Sequence, residues 1–104
     1  MSVLLLAGSP SSPSRSTALL DAVADRLARR GVATDALAVR DLPAAALLAA
    51  DTRHHSVQLA VDRIAKAQAI VVATPVYKAA YSGLLKVFLD LLPQTALRGK
   101  AVLP

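Results

Sequence analysis

Val3-Leu4-Leu5-Leu6-Ala7-Gly8-Ser9-Pro10 stands near the start of the chain, and how it is read decides the fold. Five uninterrupted apolar residues ended by Gly-Ser-Pro leave no polar helix face, and they predict a strand buried on both sides, as in parallel sheets. Ala69-Ile70-Val71-Val72-Ala73 has the same pattern and is halted by Thr74-Pro75. Two doubly buried strands require helices on both faces of their sheet.

The intervening segments supply them. Residues 15–30 place Leu20, Val23 and Leu27 at i, i+3, i+7 with charges opposite, and Gly31 is the stop signal. Val32–Val39 reads as a weaker strand with Leu37 and Val39 on one face. Residues 41–55 read as a connection around Pro43 with an alanine-rich stretch of helical composition. Ser56 is the expected N-cap of a helix reaching about Ala67, with Val57, Ala60, Val61 and Ile64 as its stripe. Residues 83–92 carry Leu84, Phe88 and Leu91 at helical spacing and are closed by Pro93, and Arg98-Gly99-Lys100 turns into Ala101-Val102-Leu103, the first residues of a fourth strand.

The order β-α-β-α-β-α-β predicts an α/β fold, a doubly wound parallel sheet in three layers, α/β/α, forming one domain over residues 1–104. Sheets of this kind usually continue through five strands and a last helix. The chain is therefore expected to be the N-terminal part of such a domain, truncated at the start of strand four.

Composition excludes several classes. With 12 Lys+Arg against 7 Asp+Glu the formal net charge is +5, and 55% of residues are hydrophobic, 3% aromatic and none cysteine. The hydrophobic content excludes intrinsic disorder, and the lack of cysteine excludes disulfides, thiolate metal sites and thiol nucleophiles. The N-terminus has no basic n-region, and no stretch approaches the roughly 18 apolar residues that cross a bilayer. A cytoplasmic protein without membrane contact is expected. The positive charge raises nucleic-acid binding, but the basic residues are scattered among Asp21, Asp25 and Asp62, with Asp25/Arg29 and Asp62/Lys66 in the favourable i,i+4 order. Solvated helix faces are the expected reading, and nucleic acid is not an expected partner. His54 and His55 are adjacent, cannot share a helix face and have no Cys or Glu beside them, so no metal site is expected. Ser9 as a hydrolase nucleophile lacks the G-x-S-x-G context.

Two loops carry the chemistry, because each follows the carboxyl end of a buried strand, where open α/β sheets bind ligands. The first, Gly8 to Thr17, is rich in Ser and leads into a helix whose N-terminus offers unpaired N–H groups and partial positive charge, a combination suited to a terminal phosphate. The alternative is an ordinary turn with an N-cap at Ser14 or Ser16, and composition alone leaves both readings open. Neither a Walker loop nor G-x-G-x-x-G is present. In the second loop, Thr74 to Gly83, the small residues Ala79, Ala80 and Gly83 leave room for a flat ring. Tyr77 would cover such a ring and Lys78 would offset its negative charge. The alternative here is two half-buried tyrosines with no ligand. If strand one is central, flanked by strands two and three, both loops border one crevice, and a phosphate on one with a ring on the other describes a mononucleotide.

Leu6-Ala7-Gly8-Ser9-Pro10 with Pro13-Ser14-Arg15-Ser16 resembles the opening of the NADPH-dependent FMN reductase family. So do Ala73-Thr74-Pro75-Val76-Tyr77-Lys78-Ala79-Ala80-Tyr81-Ser82-Gly83-Leu84-Leu85-Lys86, Leu91-Leu92-Pro93 and Gly99-Lys100-Ala101-Val102-Leu103-Pro104, which are similar in particular to the reductase components of two-component alkanesulfonate monooxygenase systems. The resemblance covers the whole chain and implies a flavodoxin-like fold with FMN and NADPH as cofactors. By position it implies phosphate contacts at Ser9, Ser14 and Ser16, where many relatives also have Arg in place of Ser11. It implies a ring-binding turn at Pro75, Val76, Tyr77 and Lys78. Ser11, Arg15, Ser82 and Gly83 complete the implied cofactor-binding set. No catalytic side chain is implied, because the cofactor carries the hydride chemistry.

The implied activity is NADPH-dependent reduction of FMN, with reduced flavin passing to a flavin-dependent monooxygenase in sulfonate sulfur assimilation, and a homo-oligomer at full length. Two other readings stand beside it. One is an FMN-binding electron carrier of flavodoxin type, which the net charge of +5 and the absent T-x-T-G-x-T loop oppose. The other is a fragment inactive by itself.

Overall fold

The computed structural model describes residues 2–9, 15–74, 76–77, 80–81, 83–93 and 101–103. In chain order its elements are β1 (Ser2–Ala7), α1 (Arg15–Arg29), β2 (Ala33–Ala38), a 3-10 turn (Val39–Asp41), α2 (Ala44–Leu48), α3 (His55–Lys66), β3 (Ala69–Ala73), β4 (Val76–Tyr77), β5 (Ala80–Tyr81), α4 (Gly83–Leu89) and β6 (Ala101–Leu103). Four strands form one parallel sheet in the order β2-β1-β3-β6, and β4 pairs with β5 in a separate antiparallel hairpin. The expected doubly wound α/β architecture is observed, with strand four present as β6.

β1 lies at the centre because both of its faces are apolar. Successive side chains of a strand alternate sides, so Leu4 and Leu6 join Leu37, Val57, Ala60, Ile64, Leu85 and Phe88 under α3 and α4. Val3, Leu5 and Ala7 join Leu20 and Ala73 under α1. The chain steps from β1 to β2 with α1 on one face, then back over β1 to β3 with α3 on the other. Reversing direction while keeping one crossover hand exchanges faces, which is why the sheet is covered on both sides.

The helix ends follow from local chemistry. Gly31, at φ +74°, closes α1: its N–H donates to the Ala28 carbonyl at 3.0 Å and the Val32 N–H to the Leu27 carbonyl at 3.0 Å, a Schellman motif. α2 ends in the same pattern, with Asp51 N–H to Ala46 O at 2.9 Å and Ala50 N–H to Leu47 O at 3.2 Å, but the left-handed position is Ala50, at φ +51°. The N-cap expected at Ser56 is instead His54, whose Nδ1 accepts from the Ser56 N–H at 3.1 Å. An imidazole nitrogen can serve there as a carboxamide oxygen does, so α3 begins two residues earlier than the hydroxyl signal indicated. α4 ends at Leu89 rather than Leu92, with Leu91 still buried at 7% exposure in the turn beyond it.

β2 is an outer strand, exposed from Ala33 to Ala36. Arg63 of α3 clasps it there, its Nε and Nη2 donating to Asp35 Oδ2 and Oδ1 at 2.8 and 2.6 Å, and Nη2 also to the Ala36 carbonyl. The Arg63 hydrogen bonds hold the Asp35 carboxyl below its usual range. Because the folded value is the lower one, the pair's contribution is present above the ordinary aspartate range and is lost as pH falls through the lowered value.

Candidate functional site

The register brings the strand ends level. Ala7 pairs with Ala38 on one side and with Ala73 on the other, so β1, β2 and β3 all stop at the same edge of the sheet. The ladder runs one residue further at the centre, where the Gly8 N–H donates to the Ala73 carbonyl at 2.9 Å. A Cβ built on Gly8 would lie 3.0 Å from Leu85 Cβ, 3.2 Å from Thr74 Oγ1 and 3.3 Å from Thr74 Cβ. Any side chain here would push β1 away from the start of the second loop and from α4. The expectation that strand one is central and that both loops leave one edge is met through this contact.

Ser9 is 2% exposed, the one buried polar residue among the described ones, and no buried side-chain polar atom among them lacks a hydrogen-bond partner. A hydroxyl held this way just past the end of a central strand has a defined position. Arg15 and Ser16 open α1, so the Ser-rich loop does feed a helix N-terminus, and the first turn of this 15-residue helix has no acidic residue to oppose an anion at its positive end. Val76 and Tyr77 form β4, and Gly83 is the first residue of α4, where an added side chain would meet no atom within 4 Å. Ser11, Ser14, Pro75, Lys78 and Ser82 lie outside the described residues.

Within the second loop, expected as a turn, the backbone forms a short hairpin in which Val76 pairs with Tyr81 and Tyr77 with Ala80. Two-residue strands give too little alternation to be legible in sequence. Thr74 and Leu85 were not among the candidate site residues, yet they wall the crevice at Gly8. A hydroxyl directly after a strand end was the available signal for Thr74; Leu85 lies outside the Leu84, Phe88 and Leu91 stripe expected from the sequence. Chemically, the edge offers an anion-favouring helix end and an open backbone surface at Gly83, joined across one tight glycine contact.

Comparison with known proteins bears on the family of the chain. A family model described as NADPH-dependent FMN reductase matches residues 1–104. An FMN reductase (NADPH) of Pseudomonas putida is 47% identical over 104 residues, spanning 100% of this chain and 53% of its own, and one from Escherichia coli K12 is 43% identical over 104 residues, spanning 100% and 54%. Among solved structures, the apo form of an NADH:FMN oxidoreductase (EMOB) superposes with a TM-score of 0.90 at 46% identity, covering 99% of this chain and 56% of that one. The chain thus spans about half the length of these relatives.

Proposed function

The chain belongs to the NADPH-dependent FMN reductase family, and from that premise we propose that it builds the flavin site of an enzyme that reduces FMN with NADPH. The supporting observation is the approach of Gly8 to Thr74 and Leu85, which brings the starts of the two strand-end loops to one sheet edge. FMN suits the residues present: its phosphate is an anion, and the first turn of α1 carries no carboxylate to repel it. Ser9, Ser11, Ser14, Arg15 and Ser16 would hold that phosphate, and Pro75, Val76, Tyr77, Lys78, Ser82 and Gly83 the ring.

When bound, FMN supplies the acceptor for a hydride from the nicotinamide of NADPH. The chain's own work is to bind and orient. The α1 terminus and its hydroxyls fix one end of the ligand, and the turn after β3 fixes the other, so that the two rings meet in one geometry. No side chain has to move a proton for the transfer, and none is assigned as catalytic.

Reduced FMN then leaves for a flavin-dependent monooxygenase of sulfonate sulfur assimilation. Release favours micromolar binding, about −8 kcal/mol, over the tight retention of an electron carrier. No helix among the described residues is long and apolar enough to cross a membrane, and the reading assigns the protein to the cytoplasm, as a homo-oligomer.

The test is NADPH oxidation, followed at 340 nm, by the full natural chain carrying these residues. Absorbance loss that depends on added FMN is expected. Flavin that copurifies tightly without accelerating NADPH loss would replace this reading with the electron carrier.

A further inference from the structure

β2 is an outer strand of the sheet and pairs with β1 along one side only. Such an edge carries backbone donors and acceptors that can template another strand. Which groups face outward follows from the register. Successive residues of a strand turn their backbone N–H and C=O groups to opposite sides. The Gly8 N–H donates to Ala73 of β3, so Leu4 and Leu6 also face β3, and Val3, Leu5 and Ala7 face β2. In a parallel ladder the residue opposite a bonding one points away, and Ala36 lies opposite Leu5. Thr34, Ala36 and Ala38 therefore turn their backbone groups to the open side.

Ala36, the middle one of the three, is covered. Arg63 Nη2 donates to its carbonyl, while Nε and Nη2 hold the Asp35 carboxylate at 2.8 and 2.6 Å. That carboxyl is kept below its usual range first by the Arg63 hydrogen bonds and in part by the Ala36 N–H, so both backbone groups of Ala36 meet the pair. We propose that Arg63 and Asp35 guard the open edge of β2, closing it to strand addition by a second copy of this chain. The strand carries no other protection of its own: Ala33-Thr34-Asp35-Ala36-Leu37-Ala38 has no Pro or Lys, and Asp35 is its one charge. Residues 33–36 are exposed. A second copy is the fitting intruder, because two such edges can pair antiparallel about a two-fold axis, each offering what the other lacks. Stability does not account for the arrangement, since the two side chains are 38% and 50% exposed and pairs in that setting add little. The inference is independent of the reaction proposed above.

The test is the assembly size of the full natural chain, by light scattering over a range of concentrations, with hydrogen exchange at the Thr34 amide. Arg63→Ala should raise the apparent mass about twofold or more as concentration rises, and slow Thr34 exchange about tenfold or more. Adding Thr34→Lys to Arg63→Ala should return the wild-type mass, because a lysine on the edge opposes pairing but does not cure unfolding. Arg63→Lys keeps the charge without the fork that reaches carboxylate and carbonyl together, and should assemble partway. Growth that leaves Thr34 exchange unchanged, growth that survives Thr34→Lys, or an Arg63→Ala chain with wild-type mass throughout overturns the inference. So does loss of the folded circular dichroism signal in both Arg63 variants, which would make Arg63 a residue of the fold rather than of its edge.

Discussion

Under α3 and α4, the sheet buries Val39, Val57 and Phe88 with no exposed surface, and Ile64 and Ile70 at 1%. Under α1, the cluster is Val3, Leu5, Ala7, Leu20 and Ala73, and of the described α1 side chains only Leu20 is buried. The difference begins in β2 and at the strand ends, where Thr34, Ala36, Ala38, Ala7 and Ala73 present short side chains on the α1 side. A densely packed face defines its backbone from many directions. A thinly packed face depends more on local chemistry and leaves a cleft. The helix ends show the same contrast: α1 closes on Gly31, whereas α2, packed into the dense face through Ala46 and Leu47, tolerates Ala50 at φ +51°. Strain of that kind persists where surrounding structure over-determines the conformation.

Substitutions can break or sharpen this contrast. Phe88→Ala should cost about 3–5 kcal/mol by denaturant unfolding, since nothing around a fully buried ring can collapse into the space. Gly8→Val should cost about 1–3 kcal/mol through overpacking against Leu85 and Thr74. The same variant should weaken FMN binding in a flavin titration, because it separates the two loops, and unaltered affinity would detach the contact from the site. Leu20→Ala should cost about 2 kcal/mol, the low end for a buried leucine, because the neighbouring cleft lets α1 settle. A loss equal to that of Phe88→Ala would show that the two faces are packed alike.

Backbone substitutions give smaller effects. Gly31→Ala should cost about 1 kcal/mol, since a Cβ at φ +74° is strained even with no atom within 4 Å. Ala50→Gly should stabilise by about 0.5 kcal/mol, relief of the left-handed alanine being partly offset by the freer unfolded chain. Should Ala50→Gly destabilise instead, the dense face would be holding that alanine by contacts rather than tolerating it.

Much of this was legible in the chain because it depends on local pattern. Val3–Ala7 and Ala69–Ala73 are apolar on both sides and so must be doubly buried, and Leu20, Val23 and Leu27 mark the inward stripe of α1. Gly31 could be read as a helix stop because left-handed backbone favours glycine. His54 as an N-cap was not legible, because its ring nitrogen is an uncommon acceptor there. Ala50 carried no sign of positive φ, and the β4–β5 hairpin is too short for a period. The clasp of Arg63 on Asp35 spans 28 positions and has no local signature.

By itself, the order of residues determined the layered α/β architecture and singled out the two strand-end loops as candidates for a ligand site, because periodicity and end chemistry act over a few neighbouring residues. Tertiary structure alone decided that β1 lies between β2 and β3, that Gly8 touches Thr74 and Leu85, and that Arg63 reaches the open edge of β2. Those facts depend on strand order and register, which arise from packing residues that lie far apart along the chain.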